Sequence, residues 1–149
     1  MKSGSGFTLA EVMIIAAILA LLAAIAYPSY AGYITKSRRI EGQIALIDAV
    51  QQQERFYTRY NTYAAFSSDS TGEQERRFKW WSGSVASRSA YELRARACPG
   101  ADLTQCVEVQ ALPGTSKVDA GFRDADCQTL TLNSAGDRAA SGPFERCWP

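Results

Sequence analysis

Gly6-Phe7-Thr8-Leu9-Ala10-Glu11, followed at once by Val12 through Ala26, is the stretch that decides the fold. Fifteen residues without a polar side chain follow a single carboxylate. Phe7 to Ala26 covers 20 residues, which as a helix at about 1.5 Å per residue matches a hydrocarbon core of about 30 Å. A charge at the centre of a bilayer costs roughly 2.5–3.5 kcal/mol even on the mildest scale, so a carboxylate inside an apolar boundary needs a reason. Lys2 and a Ser/Gly-rich leader precede Gly6. One reading is an ordinary cleaved signal peptide, with Ala24-Ile25-Ala26 as its small-x-small site. A second is a plain transmembrane anchor with Lys2 held on the cytoplasmic side. A normal signal peptide has no use for Glu11.

The run Gly-Phe-Thr-Leu-x-Glu closely resembles the class III signal of type IV pilins. The resemblance implies that prepilin peptidase cuts between Gly6 and Phe7 and N-methylates Phe7. It also implies that Glu11 meets the charged α-amino group of a neighbouring subunit. Two opposite charges in a low-dielectric filament core compensate each other's burial, and removing one strands the other. Downstream, Tyr27-Pro28-Ser29-Tyr30 and Tyr33 look like the segment where type IVa pilins carry a helix-kinking proline. Pro28 lacks an N–H and clashes with the preceding turn, so it kinks or locally opens a helix. Helix termination is the simpler alternative, and the pattern that follows argues against it. The tyrosines are placed as an interfacial aromatic belt would be.

Composition limits the rest. The chain has 149 residues, and setting aside the first 30 or so leaves enough for one domain with a modest core. Sixteen basic residues balance 15 acidic ones, so no global field draws the chain to nucleic acid or anionic lipid. Histidine is absent, which removes the commonest general base, metal ligand and near-neutral switch. No Gly-rich phosphate loop or nucleophile motif occurs, so no enzyme and no cofactor are expected. Cysteines stand at 98, 106, 127 and 147, an even number downstream of an export-like segment. Disulfides in an oxidising compartment are expected; a four-cysteine zinc site is the competitor, although no C-x-x-C pair is present.

From Ile34 to about Tyr60 the pattern predicts a helix. Ile40, Ile44, Ile47 and Val50 recur at three- and four-residue steps, broadened by Leu46 and Phe56, and are expected to face the core. The segments Arg39-Ile40-Glu41-Gly42-Gln43 and Gln53-Glu54-Arg55-Phe56-Tyr57 are similar to PilE-type minor pilins, in which an E-G-Q run precedes a helix ending in Q-E-R-aromatic-Tyr. Arg55 and Arg59, four apart, can form a basic strip; the preferred reading is a solvated helix face.

Residues 64–90 have loop composition, notably Ser67-Ser68-Asp69-Ser70-Thr71-Gly72. Within them lies Arg76-Arg77-Phe78-Lys79-Trp80-Trp81. Interleaved basic and aromatic residues can hold a nucleic-acid backbone and stack on bases. The plainer and preferred reading is aromatics covering the core edge with basics facing water. Tyr91 to Ala97 alternates, with Tyr91, Leu93, Ala95 and Ala97 on one face and Glu92, Arg94 and Arg96 on the other. Val107, Val109 and Ala111 alternate with Glu108 and Gln110. A hairpin that joins Cys98 to Cys106 places Arg96 opposite Glu108 and Ala95 opposite Val109, a consistent register. Cys127 before a Thr-Leu-Thr-Leu strand and the terminal Cys147-Trp148 resemble the pilin C-terminal disulfide loop, which implies a Cys127–Cys147 bridge.

The expected fold class is α+β: a long N-terminal helix, transmembrane then amphipathic, packed on a small antiparallel sheet, the pilin fold. The expected divisions are a leader at 1–6, a transmembrane and assembly helix at 7–30, and a periplasmic or extracellular globular domain at 31–149. The resemblance implies a minor pilin, partnered by other pilin subunits, prepilin peptidase, the pilus assembly platform and the inner membrane. It implies a single-pass inner-membrane precursor that becomes part of an extracellular pilus, in a Gram-negative bacterium. Twitching motility, adhesion and DNA uptake belong to the whole machine. A DNA-binding competence pilin is the alternative, with Arg76, Arg77, Lys79, Trp80, Trp81, Arg94 and Arg96 as candidate contacts. A type II secretion pseudopilin ranks third, since those commonly lack the C-terminal cysteine loop.

Overall fold

A computed structural model of the chain describes residues 7–149, apart from the side chains of Pro28 and Ser29. Lys2 and Gly6 lie outside the described residues. The chain forms two compact units that divide between Lys36 and Ser37. One helix, α1 (Leu9–Tyr60), contributes to both. Its backbone remains helical through Pro28, so the proline does not end it.

In the first unit, α1 opens on a capping box. The Thr8 backbone N–H and hydroxyl both donate to Glu11 Oε2 at 2.8 Å, and the Glu11 N–H donates back to Thr8 Oγ1 at 3.3 Å. These reciprocal bonds satisfy N–H groups that a helix start would leave orphaned. Glu11 therefore has a local role that the assembly reading overlooked. Every large apolar side chain from Phe7 to Ile25 is exposed, and the helix is long and apolar enough to cross a membrane. So wide an apolar surface requires lipid or protein to cover it.

The second unit packs the rest of α1 on four antiparallel strands in the order β1 (Tyr91–Ala97), β2 (Val107–Pro113), β3 (Leu130–Asn133) and β4 (Arg138–Ala140). The β1–β2 register pairs Arg96 with Glu108 and Ala95 with Val109. Phe66 and Trp81 extend β1's other edge through single bridges to Ala95 and Glu92. The inner sheet residues Leu93, Val107, Val109, Leu130 and Leu132 close on Leu46 and Ala49 of α1.

The isoleucine stripe expected to face this core does not. Ile40, Ile44 and Ile47 are exposed; the buried face runs through Arg39, Gly42, Gln43, Leu46, Ala49 and Gln53. The face was misread because three of its positions are polar, and each is buried with its hydrogen bonds satisfied. Gln53 spans the backbone of Ala64, donating to its carbonyl at 2.7 Å and accepting from its N–H at 2.9 Å. Gln43 donates to the Cys147 carbonyl at 2.5 Å. Arg39 grips Asp124 with two bonds, Nε–H to Oδ2 at 2.8 Å and Nη2–H to Oδ1 at 2.7 Å. Loops that carry no regular structure are thereby tied to the helix.

The same bonds explain the E-G-Q and Q-E-R signatures. Glu41 accepts from the Ser82 hydroxyl at 3.1 Å, and Glu54 from the Tyr63 hydroxyl at 2.9 Å. Gly42 makes room for the Tyr91 ring, since a Cβ there would lie 2.7 Å from Tyr91 Cδ2. Gly42→Ala is therefore expected to destabilise the domain. Overpacking costs about 1–3 kcal/mol, only part of which the roughly 1 kcal/mol gain in helix propensity offsets. Thermal melting of Gly42→Ala beside Gly32→Ala checks this, because a Cβ at Gly32 meets nothing within 4 Å. A Gly42→Ala melt equal to wild type would contradict the steric reading.

Two disulfides staple the unit. Cys98 and Cys106 are joined with Cα atoms 5.4 Å apart, and Cys127 and Cys147 with Cα atoms 5.6 Å apart.

Candidate nucleic-acid interface

The run Arg76 to Trp81 does not form one basic strip. Glu75–Arg77 makes a single 3-10 turn. Phe78 then enters the core, where its ring stacks on Phe66 with centroids 5.0 Å apart. The remaining side chains disperse over three hollows. Arg76 and Trp80 line one of about 200 Å³ with Ser67, Ser68 and Ser70. Lys79 and Trp81 line a second, of about 130 Å³, beside Glu41 and Asp48. The Lys79 ammonium sits 5.6 Å from the centre of the Trp81 ring, and the Trp81 indole nitrogen is buried with no hydrogen-bond partner among the described residues. Arg77 turns to a third hollow of about 330 Å³, which it shares with Arg55 and Arg59. The basics stay solvated and the aromatics cover the core edge.

Arg94 and Arg96 project from the outer face of β1, where neighbouring polar groups engage both. Arg94 Nε–H donates to Gln110 Oε1 at 2.9 Å. Arg96 donates from Nε and Nη2 to Glu108 Oε1 at 3.1 and 3.0 Å, and Gln110 Nε2 donates to the same oxygen at 2.7 Å. Arg96 is thus locally neutralised. The Glu108 side chain is largely buried beneath Arg96, so the pair offers a phosphate little net charge.

The disulfide-closed loop between β1 and β2 packs against the end of α1. Tyr57 donates its hydroxyl to the Thr104 carbonyl at 3.1 Å, and the Tyr63 N–H bonds the Leu103 carbonyl at 2.8 Å. The hydroxyl and N–H of Thr104 hold the Asp102 carboxyl below the usual carboxylate range, so the loop tip stays anionic. Leu103 also walls an open groove of about 520 Å³ with Phe56, Tyr63, Glu73 and Glu75. That groove carries carboxylates, so it does not suit DNA.

Sequence reasoning offers Arg55 and Arg59 as a basic strip but prefers a solvated helix face, and it does not connect them with Arg77. Their four-residue spacing places both on one helix face, but the third arginine comes from a loop 18 residues beyond Arg59, and only the tertiary fold brings it there. Among the described residues neither Arg55 nor Arg59 is in an ion pair.

A long helix whose first part is apolar and exposed, followed by an antiparallel sheet with a C-terminal disulfide, defines a pilin fold. The non-core minor pilin PilV of Neisseria meningitidis shares it, at a TM-score of 0.50 and 20% identity over 77% of this chain and 94% of that one. The prokaryotic N-terminal methylation motif matches residues 1–27. The model of the family described as type IV minor pilin ComP, DNA uptake sequence receptor, matches residues 28–131, and the chain belongs to that family. Shorter matches join it to a type IV major alpha-pilin of Moraxella bovis, 51% identical over 47 residues, or 30% of each chain. The type IV major pilin protein PilA of Myxococcus xanthus is 34% identical over 64 residues, 43% of this chain and 29% of that protein. These matches span less than a third of the relatives' lengths.

Proposed function

We propose that the chain is a minor subunit of a type IV pilus whose globular domain binds DNA during uptake. The observation that carries this reading is the extent of the family match. It covers residues 28–131, which include every candidate basic contact, rather than only the N-terminal motif. The exposed basics Arg76, Arg77, Lys79 and Arg94 supply groups that can meet phosphates, and Tyr60, Trp80 and Trp81 supply partly exposed aromatic surface. On this reading prepilin peptidase cleaves after Gly6 and methylates Phe7. The precursor is held in the inner membrane of a Gram-negative cell until the assembly platform passes it into the filament. Phe7 to Ala26 then packs among other subunits, Pro28 adjusts the helix where it leaves the apolar core, and Glu11 exchanges its capping bonds for a neighbour's α-amino group.

The full-length protein in detergent is expected to retard duplex DNA in a gel shift, with affinity falling steeply as salt rises. A protein that contacts six or more phosphates loses about 1,000-fold or more between about 50 and 200 mM salt. Absence of any salt-sensitive shift at low salt would refute the DNA-receptor reading and leave only the structural role.

A further inference from the structure

The hollow shared by Arg55, Arg59 and Arg77 differs from the other described hollows. Three guanidinium groups line it and no carboxylate does. Carboxylates line each of the other described hollows: Glu41 and Asp48 in one, Glu73 and Glu75 in the next, Glu75 beside Arg76 in the last. Its floor is aromatic, with the Phe56 and Tyr60 rings 4.4 Å apart between centroids. The acidic influences nearby are weak. Glu73 reaches Arg77 at 3.5 Å, but both side chains are mostly exposed, so the pair is worth about 0–1 kcal/mol. The C-terminal end of α1 adds about half a negative charge, against three formal positive ones.

We propose that this hollow is a phosphodiester-binding site for the backbone of duplex DNA. Arg55 and Arg59, one turn apart on a rigid helix, each fork onto the oxygens of a backbone phosphate. Arg77 closes on the same strand from the loop side. Guanidinium groups suit this task because their fixed donor geometry matches a phosphate with two parallel hydrogen bonds. Contacts of this type fix position on the duplex and carry no sequence information. The site therefore holds DNA while other surfaces read it. The inference rests on the DNA-receptor reading and names where the backbone sits.

The test is fluorescence anisotropy with the full-length protein in detergent, two duplexes of unrelated sequence, and a salt series. Arg55→Gln/Arg59→Gln is expected to weaken binding about tenfold or more at about 0.1 M salt and to lower the log–log salt slope by about two, equally for both duplexes. Arg77→Gln, from a separate element, is expected to lower the slope by about one. Arg88→Gln/Arg146→Gln removes the same charge from exposed positions outside the hollow and is expected to leave the slope near wild type. Equal losses from the Arg55/Arg59 and Arg88/Arg146 pairs would overturn the site, as would wild-type affinity and slope in the Arg55/Arg59 variant; the DNA-receptor reading would then stand. Absence of salt-sensitive binding by the wild type would overturn both. All these side chains are exposed, so matching thermal melts confirm that the variants fold.

Discussion

Asp124→Ala is expected to cost the globular domain about 3–5 kcal/mol, the range for removing one partner of a buried ion pair. A domain of this size has about 5–15 kcal/mol in total, so the variant should melt far below wild type or not fold. The Asp124 side chain is fully buried. It accepts two bonds from Arg39, one from the Tyr91 hydroxyl at 2.6 Å and one from the Cys127 N–H at 3.1 Å. Alanine would leave the buried Tyr91 phenol unmatched and the largely buried Arg39 guanidinium with only Asp126, a mostly exposed carboxylate at 3.2 Å. Thermal and urea unfolding measure the loss, and a decrease under about 1 kcal/mol would show that the pair does not brace the domain.

The same carboxylate gives the domain a pH signature. Burial pushes its pKa up, but the bonds from Arg39, Tyr91 and Cys127 outweigh burial and leave it below the usual carboxylate range. The unfolded chain binds that proton near pH 4. Stability from Asp124 is therefore complete above about pH 4 and is lost as pH falls toward the lower folded value. Burial and the neighbouring Asp124 raise the Tyr91 phenol. Its contribution is present below about pH 10 and is lost as pH rises beyond that.

Cys127→Ser/Cys147→Ser is expected to cost about 3 kcal/mol by chain-entropy reasoning for a loop of 20 residues, within a usual range of about 2–5. This bridge and the Asp124 cluster are one latch. Cys127 donates its N–H to Asp124, and Gln43 on α1 holds the Cys147 carbonyl. The two sets of substitutions should therefore be non-additive, with a combined loss smaller than the sum by about 0.5–3 kcal/mol. A double-mutant cycle in urea measures the coupling. Strict additivity would show that the helix holds the C-terminal loop and the disulfide independently.

Much of this fold is legible from local pattern. The β1–β2 register follows from alternation on both strands once Cys98 is joined to Cys106, and α1 ends where its signature ends, at Tyr60. The face of α1 is not legible by hydrophobicity, because Arg39, Gln43 and Gln53 are buried by specific bonds to loops that the helix pattern does not reveal. Ile40, Ile44 and Ile47 form the more regular apolar stripe, yet they lie exposed and available to a partner. The short strand β4 was also missed; its three residues, Arg138, Ala139 and Ala140, carry no alternation. The candidate site divides in the same way. Arg77 is visible in a basic-aromatic run, whereas Arg55 and Arg59 join it only through tertiary packing.

The fate of Phe7 to Ala26 decides whether the apolar half of α1 belongs to the working protein. Intact mass and N-terminal sequencing of the membrane-extracted protein measure it directly. The predicted result is a mature chain that begins at N-methylated Phe7, with Glu11 retained. A mature chain that begins at Tyr27 would contradict it, since a subunit without that helix could not join a filament.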